Sequence, residues 1–240
     1  MISPNGKRFC FLHRFSPVDN YLQYTTRLIL ANIDGSNLSV VEGWRTTNWS
    51  HFGWDGDDAF SIYAYERSIP YSGIRLSTNA SNSADKKNVS LISKVKKYFS
   101  LVVPESMKKE LRIAIRGQKS YYQYYVINNS IAVLDENIVI RDFDIDGHQS
   151  YTNNGRYMIT DSYPDYNKYQ RLIIYDKQHK KSLVIARIFA ALDKKPGSCD
   201  LHPKLCYNND YLMVDTAYNG EHHMILFKLK WELIDKYFNE

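Results

Sequence analysis

The chain has 240 residues and a net charge of +5, and 44% of its residues are hydrophobic. These values suit one or two soluble domains with a sizeable core. Lysine and arginine are spread along the chain, apart from one group in the middle: Lys94, Lys96, Lys97, Lys108 and Lys109. Nucleic-acid-binding proteins more often concentrate their basic residues in one stripe, so we expect no nucleic-acid partner.

The cysteines and the N-terminal sequence indicate the cellular compartment in which the protein is expected. Cys10, Cys199 and Cys206 cannot all pair, and none shows the C-x-x-C spacing of a zinc site. We therefore expect reduced thiols and a cytoplasmic protein. The N-terminus lacks the apolar core of a signal peptide, and no segment approaches the roughly 18 apolar residues that span a bilayer. A chain that extended upstream with a signal peptide would instead be periplasmic.

A hairpin signal recurs along the chain. Four segments combine an Asn-Gly, Asp-Gly or Asn-Asn-Asp turn with an alternating apolar strand: SPNGKRFCFL from Ser3, WDGDDAFSIY from Trp54, TNNGRYMITD from Thr152 and YNNDYLMVDT from Tyr207. Asn-Gly and Asp-Gly favour two-residue hairpins because both central residues adopt positive φ. Recurrence of one such unit predicts a repeat architecture.

Further strands follow the hairpin signal in three of these units. They read TRLILANIDG from Thr26, QRLIIYDKQH from Gln170 and HMILFKLKW from His223, and the first two lead into LSVVEG and SLVIARIF. Four short antiparallel strands make one blade of a β-propeller. We therefore predict an all-β chain, 1–240, that is one propeller domain or part of one. Its four blades cover about 1–43, 49–140, 146–191 and 199–240.

Two blades depart from the pattern. The first begins almost at its turn, so no residues are expected for its innermost strand, and either further sequence or a partner would complete the propeller. The second carries an insertion at 67–120, in which STNASNSADKKN predicts a loop and the spacing of Leu91, Val95 and Phe99 predicts a short helix. The final WELIDKYFNE fits either an outer strand or a terminal helix.

The amino-acid sequence of the repeat resembles that of a known family. SPNGKRFCFL and RLILANIDGSNL are similar to the blade consensus of TolB-like and WD40-like propellers. DGHQSYTNNGRYMITDSYPD and CDLHPKLCYNNDYLMVDTAYNGEHHMILFKL resemble oligogalacturonate-lyase-type propellers more specifically. The resemblance covers most of the chain and implies the fold. It implies less about activity, because propeller blades carry many unrelated functions.

Three histidines occupy matching places on the predicted first strands: His51, His148 and His202. Asp161 and Asp215 follow the second and third of them by 13 residues, whereas the matching position after His51 is Ala64. First strands line a propeller channel, so we expect the three imidazoles to converge. Such a set suits a divalent transition ion such as Mn²⁺, with Gln149 as a further oxygen ligand.

Two functions remain open. One is a binding or interaction propeller, without a catalytic motif, that recognises an anionic carbohydrate or a protein; its histidines are then structural and fixed by Asp161 and Asp215. The other is implied by the resemblance: a metal-dependent oligogalacturonate-type lyase, in which Mn²⁺ holds the uronate carboxylate and a base, not identified here, removes a proton.

The remaining candidate residues are substrate contacts. Asp161, Asp215, Arg171 and Tyr163 are predicted to contact a sugar or its carboxylate, for which arginine has the matching geometry. Arg27 holds the place of Arg171 in the first blade, so a role in the repeat itself is an equal alternative. No G-x-S-x-G elbow, P-loop or dinucleotide fingerprint occurs, which leaves serine-hydrolase, NTPase and Rossmann functions without support.

Overall fold

The computed structural model describes residues 1–15, 25–45, 47–66, 120–138, 140, 146–165, 167–191, 198–206 and 208–240. These residues form four antiparallel sheets and one α-helix. The predicted insertion at 67–120 lies outside them, except for Ser120, where a strand begins. Among the described helices, none is long and apolar enough to cross a membrane.

The first two sheets come from the first half of the chain. Sheet 1 has three strands, β1 (Arg8–Phe15), β2 (Thr25–Asn32) and β3 (Ser39–Val40). Sheet 2 has four strands, β4 (Thr47–Trp54), β5 (Ala59–Glu66), β6 (Ser120–Asn128) and β7 (Ile131–Leu134), and a 3-10 turn (Glu136–Ile138) follows it. In both sheets each strand pairs with the next one along the chain.

The last two sheets repeat this order. Sheet 3 comprises β8 (Ser150–Tyr151), β9 (Tyr157–Asp161), β10 (Tyr169–Asp176) and β11 (Lys181–Phe189). Sheet 4 comprises β12 (Lys204–Leu205), β13 (Tyr211–Thr216) and β14 (His223–Lys228), followed by helix α1 (Trp231–Asn239). Each sheet corresponds to one of the repeat units seen in the sequence. Positive φ at Gly6, Gly56 and Gly155 matches the hairpin signals there.

The first residues of the chain lie at the inner edge of sheet 1. Residues 1–3 run beside β1: the Cys10 amide donates to the Met1 carbonyl, the Ser3 amide donates to the Arg8 carbonyl, both at 2.9 Å, and Ile2 bridges to Phe9. Sheet 1 has three strands, as predicted for an incomplete first blade, and the three residues at its edge add two ladder hydrogen bonds.

Three buried clusters lie between the sheets. The cluster between sheets 1 and 2 is aliphatic and aromatic, with Leu28, Leu30 and Phe60 fully buried. The next, between sheets 2 and 3, is rich in tyrosine: Tyr151 donates to Ser61 Oγ at 2.6 Å, and the hydroxyls of Tyr122 and Thr160 are hydrogen-bonded at 3.1 Å. These pairings let Tyr151 and Tyr122 fill the core with their hydroxyls satisfied.

The third cluster includes helix α1, which resolves the ambiguity of the last ten residues. Ile234 and Phe238, spaced four apart, turn the same face of the helix into the core of sheets 3 and 4. Trp231 stacks on Tyr157 with ring centroids 5.1 Å apart, and its indole N–H donates to the Asn209 carbonyl at 2.9 Å. The helix thus packs against both sheet 3 and sheet 4 and connects them.

Neighbouring residues of α1 provide a test of this packing. Phe238 is 1% exposed and Tyr237 is 48% exposed. We expect Phe238→Ala to lower the free energy of unfolding by about 3–5 kcal/mol, because it leaves a cavity in the core. Tyr237→Ala should change it by less than about 0.5 kcal/mol. Urea denaturation of both variants measures this; equal effects would mean that α1 does not pack as described.

Candidate functional site

Three histidines meet at one end of sheets 2, 3 and 4, and we call them the histidine row: His51, His148 and His202. The ring centroids of His51 and His148 are 4.1 Å apart, and those of His148 and His202 are 4.2 Å apart. His51 lies on β4, while the other two lie just before β8 and β12. Three repeat units therefore bring their imidazoles into contact, as their matching positions predict.

Each imidazole of the histidine row is held at Nδ1 by a carboxylate. The pairs are His51 with Asp146 at 3.0 Å, His148 with Asp161 at 3.0 Å and His202 with Asp215 at 3.3 Å. A carboxylate at Nδ1 retains the proton on that nitrogen, which leaves the lone pair of a neutral ring on Nε2. Metal-binding histidines are oriented by the same kind of partner.

Asp161 does more than orient one ring. Its Oδ1 accepts the His148 backbone N–H at 2.6 Å, and its Oδ2 accepts the His202 backbone N–H at 3.1 Å. Its side chain is 2% exposed. One buried carboxylate on β9 therefore connects the segments that carry two of the three histidines, one in its own sheet and one in the next.

These hydrogen bonds explain why His148 and His202 lie outside the strands on which they were predicted. Their N–H groups bind a carboxylate instead of a neighbouring strand, so β8 and β12 begin two residues later. His202 also has a φ of 43°, which is outside the extended region, and Pro203 follows it. Proline has no backbone N–H, so Pro203 cannot donate a ladder hydrogen bond at this point.

Two glycines allow the close approach of the chain at the site. A Cβ on Gly147 would lie 2.1 Å from the Asp161 carbonyl oxygen, and one on Gly53 would lie 2.7 Å from the Gln149 carbonyl oxygen. Neither backbone atom can move without shifting its strand. The absence of a side chain at both positions thus permits the packing that aligns the histidine row.

Sequence reasoning missed Asp146 and Asp200. Each lies two residues before a histidine of the row, so that an Asp-x-His pattern occurs twice, at His148 and at His202. Asp146 supplies the carboxylate that His51 lacks in its own unit, where Ala64 stands. The repeated Asp-x-His pattern was the available signal, but the acid for His51 comes from the next unit rather than from its own.

The surroundings of His51 favour its protonated form. Its burial opposes protonation, but the hydrogen bond and charge of Asp146, together with the charges of Asp161 and Asp200, outweigh this and raise the pKa of His51. The second oxygen of Asp146 accepts the Tyr65 hydroxyl at 3.2 Å. The end of the row formed by His51 is therefore a His–Asp–Tyr chain in a negative environment.

Asp200 lies among possible ligand atoms. One ligand atom from each of His148, Asp200 and His202 lies within 4.8 Å of the others. Imidazole nitrogens with carboxylate oxygen form a donor set that suits Mn²⁺, Fe²⁺ or Zn²⁺. On donor chemistry, the residues present fit a divalent transition ion.

The other predicted residues lie on three different segments of the chain and have different contacts. Tyr163 is 46% exposed, with its ring centroid 6.2 Å from that of His51; burial, with the nearby carboxylates, raises its pKa to about 12. Gln149 is buried and its amide N–H donates to the Gly147 carbonyl. Arg171 lies half-buried on β10, opposite Arg187 of β11. Their roles as ligand or substrate contacts stay predictions.

Comparison with solved structures decides the fold. TolB from Acinetobacter baumannii, a β-propeller protein, matches with a TM-score of 0.53 and 9% identity, over 93% of this chain and 39% of TolB. The chain folds as a β-propeller. An oligogalacturonate lyase in complex with manganese (TM-score 0.49, 11% identity, 94% of this chain and 50% of the lyase) is also similar. An oligogalacturonate lyase from Vibrio parahaemolyticus is similar as well, with a TM-score of 0.47 and 11% identity, over 96% of this chain and 65% of the lyase.

At sequence identities of 9% to 11%, the structural similarity shows a shared fold and nothing more. The chain spans between 39% and 65% of the length of these three proteins. No protein-family model matches the sequence. No curated protein matches it either. The four sheets correspond to four predicted blades, and the number of blades in a complete propeller stays a prediction.

Asp161 and Asp215 are equivalent in the repeat and give a matched test of the carboxylate that connects the sheets. Asp161→Asn should lower the free energy of unfolding by at least about 2 kcal/mol, because an amide replaces a buried anion that accepts several N–H groups. Asp215, whose side chain is 43% exposed, should tolerate the same change at a cost of less than about 0.5 kcal/mol. Chemical denaturation measures both, and similar losses would contradict the assignment.

Proposed function

We propose that this protein is a binding propeller that takes up a divalent transition ion at the histidine row and, through that ion, recognises an anionic carbohydrate. The observation that carries the proposal is the row itself: three imidazoles in contact, each with a carboxylate at Nδ1. That arrangement leaves Nε2 of a neutral ring as the nitrogen that can bind a metal ion.

The negative charge around the histidine row favours binding of a cation over binding of an anionic sugar without a cation. Four carboxylates surround the row, from Asp146, Asp161, Asp200 and Asp215. Two like charges 4 Å apart repel by about 4 kcal/mol at an effective dielectric constant of 20. An anionic sugar would meet several such charges, so its binding here requires a bound cation. When bound, the ion would supply Lewis acidity and an anchor for a carboxylate.

An alternative without metal assigns the histidines a structural role. In that case Asp161 and Asp215 would only fix rings that pack against each other. The position of Asp200 argues against this, because its carboxylate lies with ligand atoms of His148 and His202 within 4.8 Å. The Nδ1 partners of the three rings are Asp146, Asp161 and Asp215, so a purely structural role of the histidines gives Asp200 no part.

Metal titration tests the proposal. We expect the purified protein, first stripped with a chelator, to bind Mn²⁺ or Zn²⁺ at about one ion per chain in isothermal titration calorimetry. His148→Ala and His202→Ala should each weaken binding by at least about 100-fold, because each removes a donor atom. His223→Ala serves as the control, since this histidine lies on β14 and bonds to Asn219.

Two outcomes would overturn the metal site. One is a wild-type protein that binds neither ion. The other is an equal loss in the His223 variant, which would point to nonspecific binding.

A second candidate function is a lyase on oligogalacturonate. His51 favours it, because the Asp146 carboxylate at its Nδ1 orients the ring in the way that a histidine general base is oriented. In such a reaction the base takes the C5 proton, the C4–O bond breaks and a C4=C5 double bond forms. Tyr163, half-exposed near His51, and Arg171 are the predicted sugar contacts.

An absorbance assay separates the two functions. If the protein is a lyase, the metal-loaded form should produce the ultraviolet absorbance of an unsaturated uronate from polygalacturonate. His51→Ala should reduce the rate by at least about 100-fold while leaving sugar binding in place. Binding of polygalacturonate without any rise in absorbance would leave a binding protein and exclude the lyase.

A further inference from the structure

Asp200 differs from its repeat equivalent, Asp146, in the partner that its carboxylate can bind. Asp146 and Asp200 are equivalent, each two residues before a histidine, and each lies by the histidine of the preceding unit. Asp146 binds His51 at Nδ1, which is open to it because Ala64 stands where the other units carry aspartate. If Asp200 followed the example of Asp146 at the equivalent position, it would bind Nδ1 of His148.

That nitrogen is already engaged. Nδ1 of His148 lies 3.0 and 3.2 Å from the two oxygens of Asp161. Asp200 therefore has no Nδ1 partner on His148, and its carboxylate accepts no hydrogen bond from the part of the chain that the structure describes. It nevertheless lies with ligand atoms of His148 and His202 within 4.8 Å.

We infer that Asp200 is a metal ligand, so that His148, His202 and Asp200 form a two-histidine, one-carboxylate set with open coordination positions. The inference rests on the proposed metal-binding function and deepens it. Asp146, Asp161 and Asp215 hold rings by Nδ1, whereas Asp200 contributes oxygen to the ion directly. His51 stands beside this set.

The ligand set defines what the ion accepts. Two neutral imidazoles and one carboxylate leave a divalent ion with one positive charge of its own. This charge offsets part of the repulsion from Asp146, Asp161 and Asp215, and the open positions of the ion would bind an anionic oxygen directly. Sets of this kind, with several open positions, suit ions that prefer six ligands, such as Mn²⁺ and Fe²⁺. The matching ligand is a chelating hydroxy-acid: a uronate that offers its carboxylate and a neighbouring oxygen, rather than a neutral sugar.

Replacement of the carboxylate by a thiol tests direct ligation. In Asp200→Cys loaded with Co²⁺, we expect an intense sulfur-to-metal charge-transfer band, which arises only when the thiolate binds the ion. Asp215→Cys should give no such band, because Asp215 lies behind Nδ1 of His202. Wild-type protein with Co²⁺ gives the background from Cys199 and Cys206, which are partly exposed.

Asp200→Asn completes the test with a variant of the same shape. It should bind Mn²⁺ at least about tenfold more weakly and should lose the preference for galacturonate over galactose in the loaded protein. Circular dichroism and the melting temperature of each metal-free variant establish folding. If Asp200→Asn binds Mn²⁺ as wild type does, and Asp200→Cys shows no band, Asp200 is not a ligand, while the metal site of the histidines stands. Absence of metal binding by wild type would instead overturn both.

Discussion

The histidine site depends on one buried carboxylate, that of Asp161. It accepts the backbone N–H of His148 in its own sheet and that of His202 in the next, and it also holds the His148 ring. Hydrogen bonds to a buried anion are about twice as strong as neutral ones, and the anion is costly to leave unpaired. The same group therefore fixes a backbone path, a ring orientation and the distance between two sheets.

The partners of the row exceed what fold stability requires. Three rings need three carboxylates to orient them, and Asp146, Asp161 and Asp215 supply these. Asp200 is a fourth, and it adds negative charge while holding none of the three rings at Nδ1 in the part of the chain that the structure describes. Gathering like charges at one place costs free energy. A cation bound at the row would offset this cost, and this is the physical link from the fold to the proposed function.

The sequence predicted the propeller fold, because turn chemistry and alternation are local signals, and it predicted the meeting of the histidines from their matching positions. It did not predict that β8 and β12 would be only two residues long, since this follows from the binding of two amides by Asp161 across a sheet boundary. The acid for His51 was missed for a related reason: a spacing measured within one unit cannot reveal a partner supplied by the next. The terminal helix stayed undecided until Ile234 and Phe238 could be seen to share a core.

A repeat in which each unit depends on its neighbour has a consequence for any ligand bound there. His51 takes its carboxylate from the segment before β8, and Asp161 of β9 holds the segment before β12. Gly53 and Gly147 keep these segments close enough for rings 4.1 Å apart. Ligand atoms from separate sheets can form one site only while the sheets stay packed. Metal binding would in turn stabilise that packing, because an ion that binds the folded state alone shifts the unfolding equilibrium toward it.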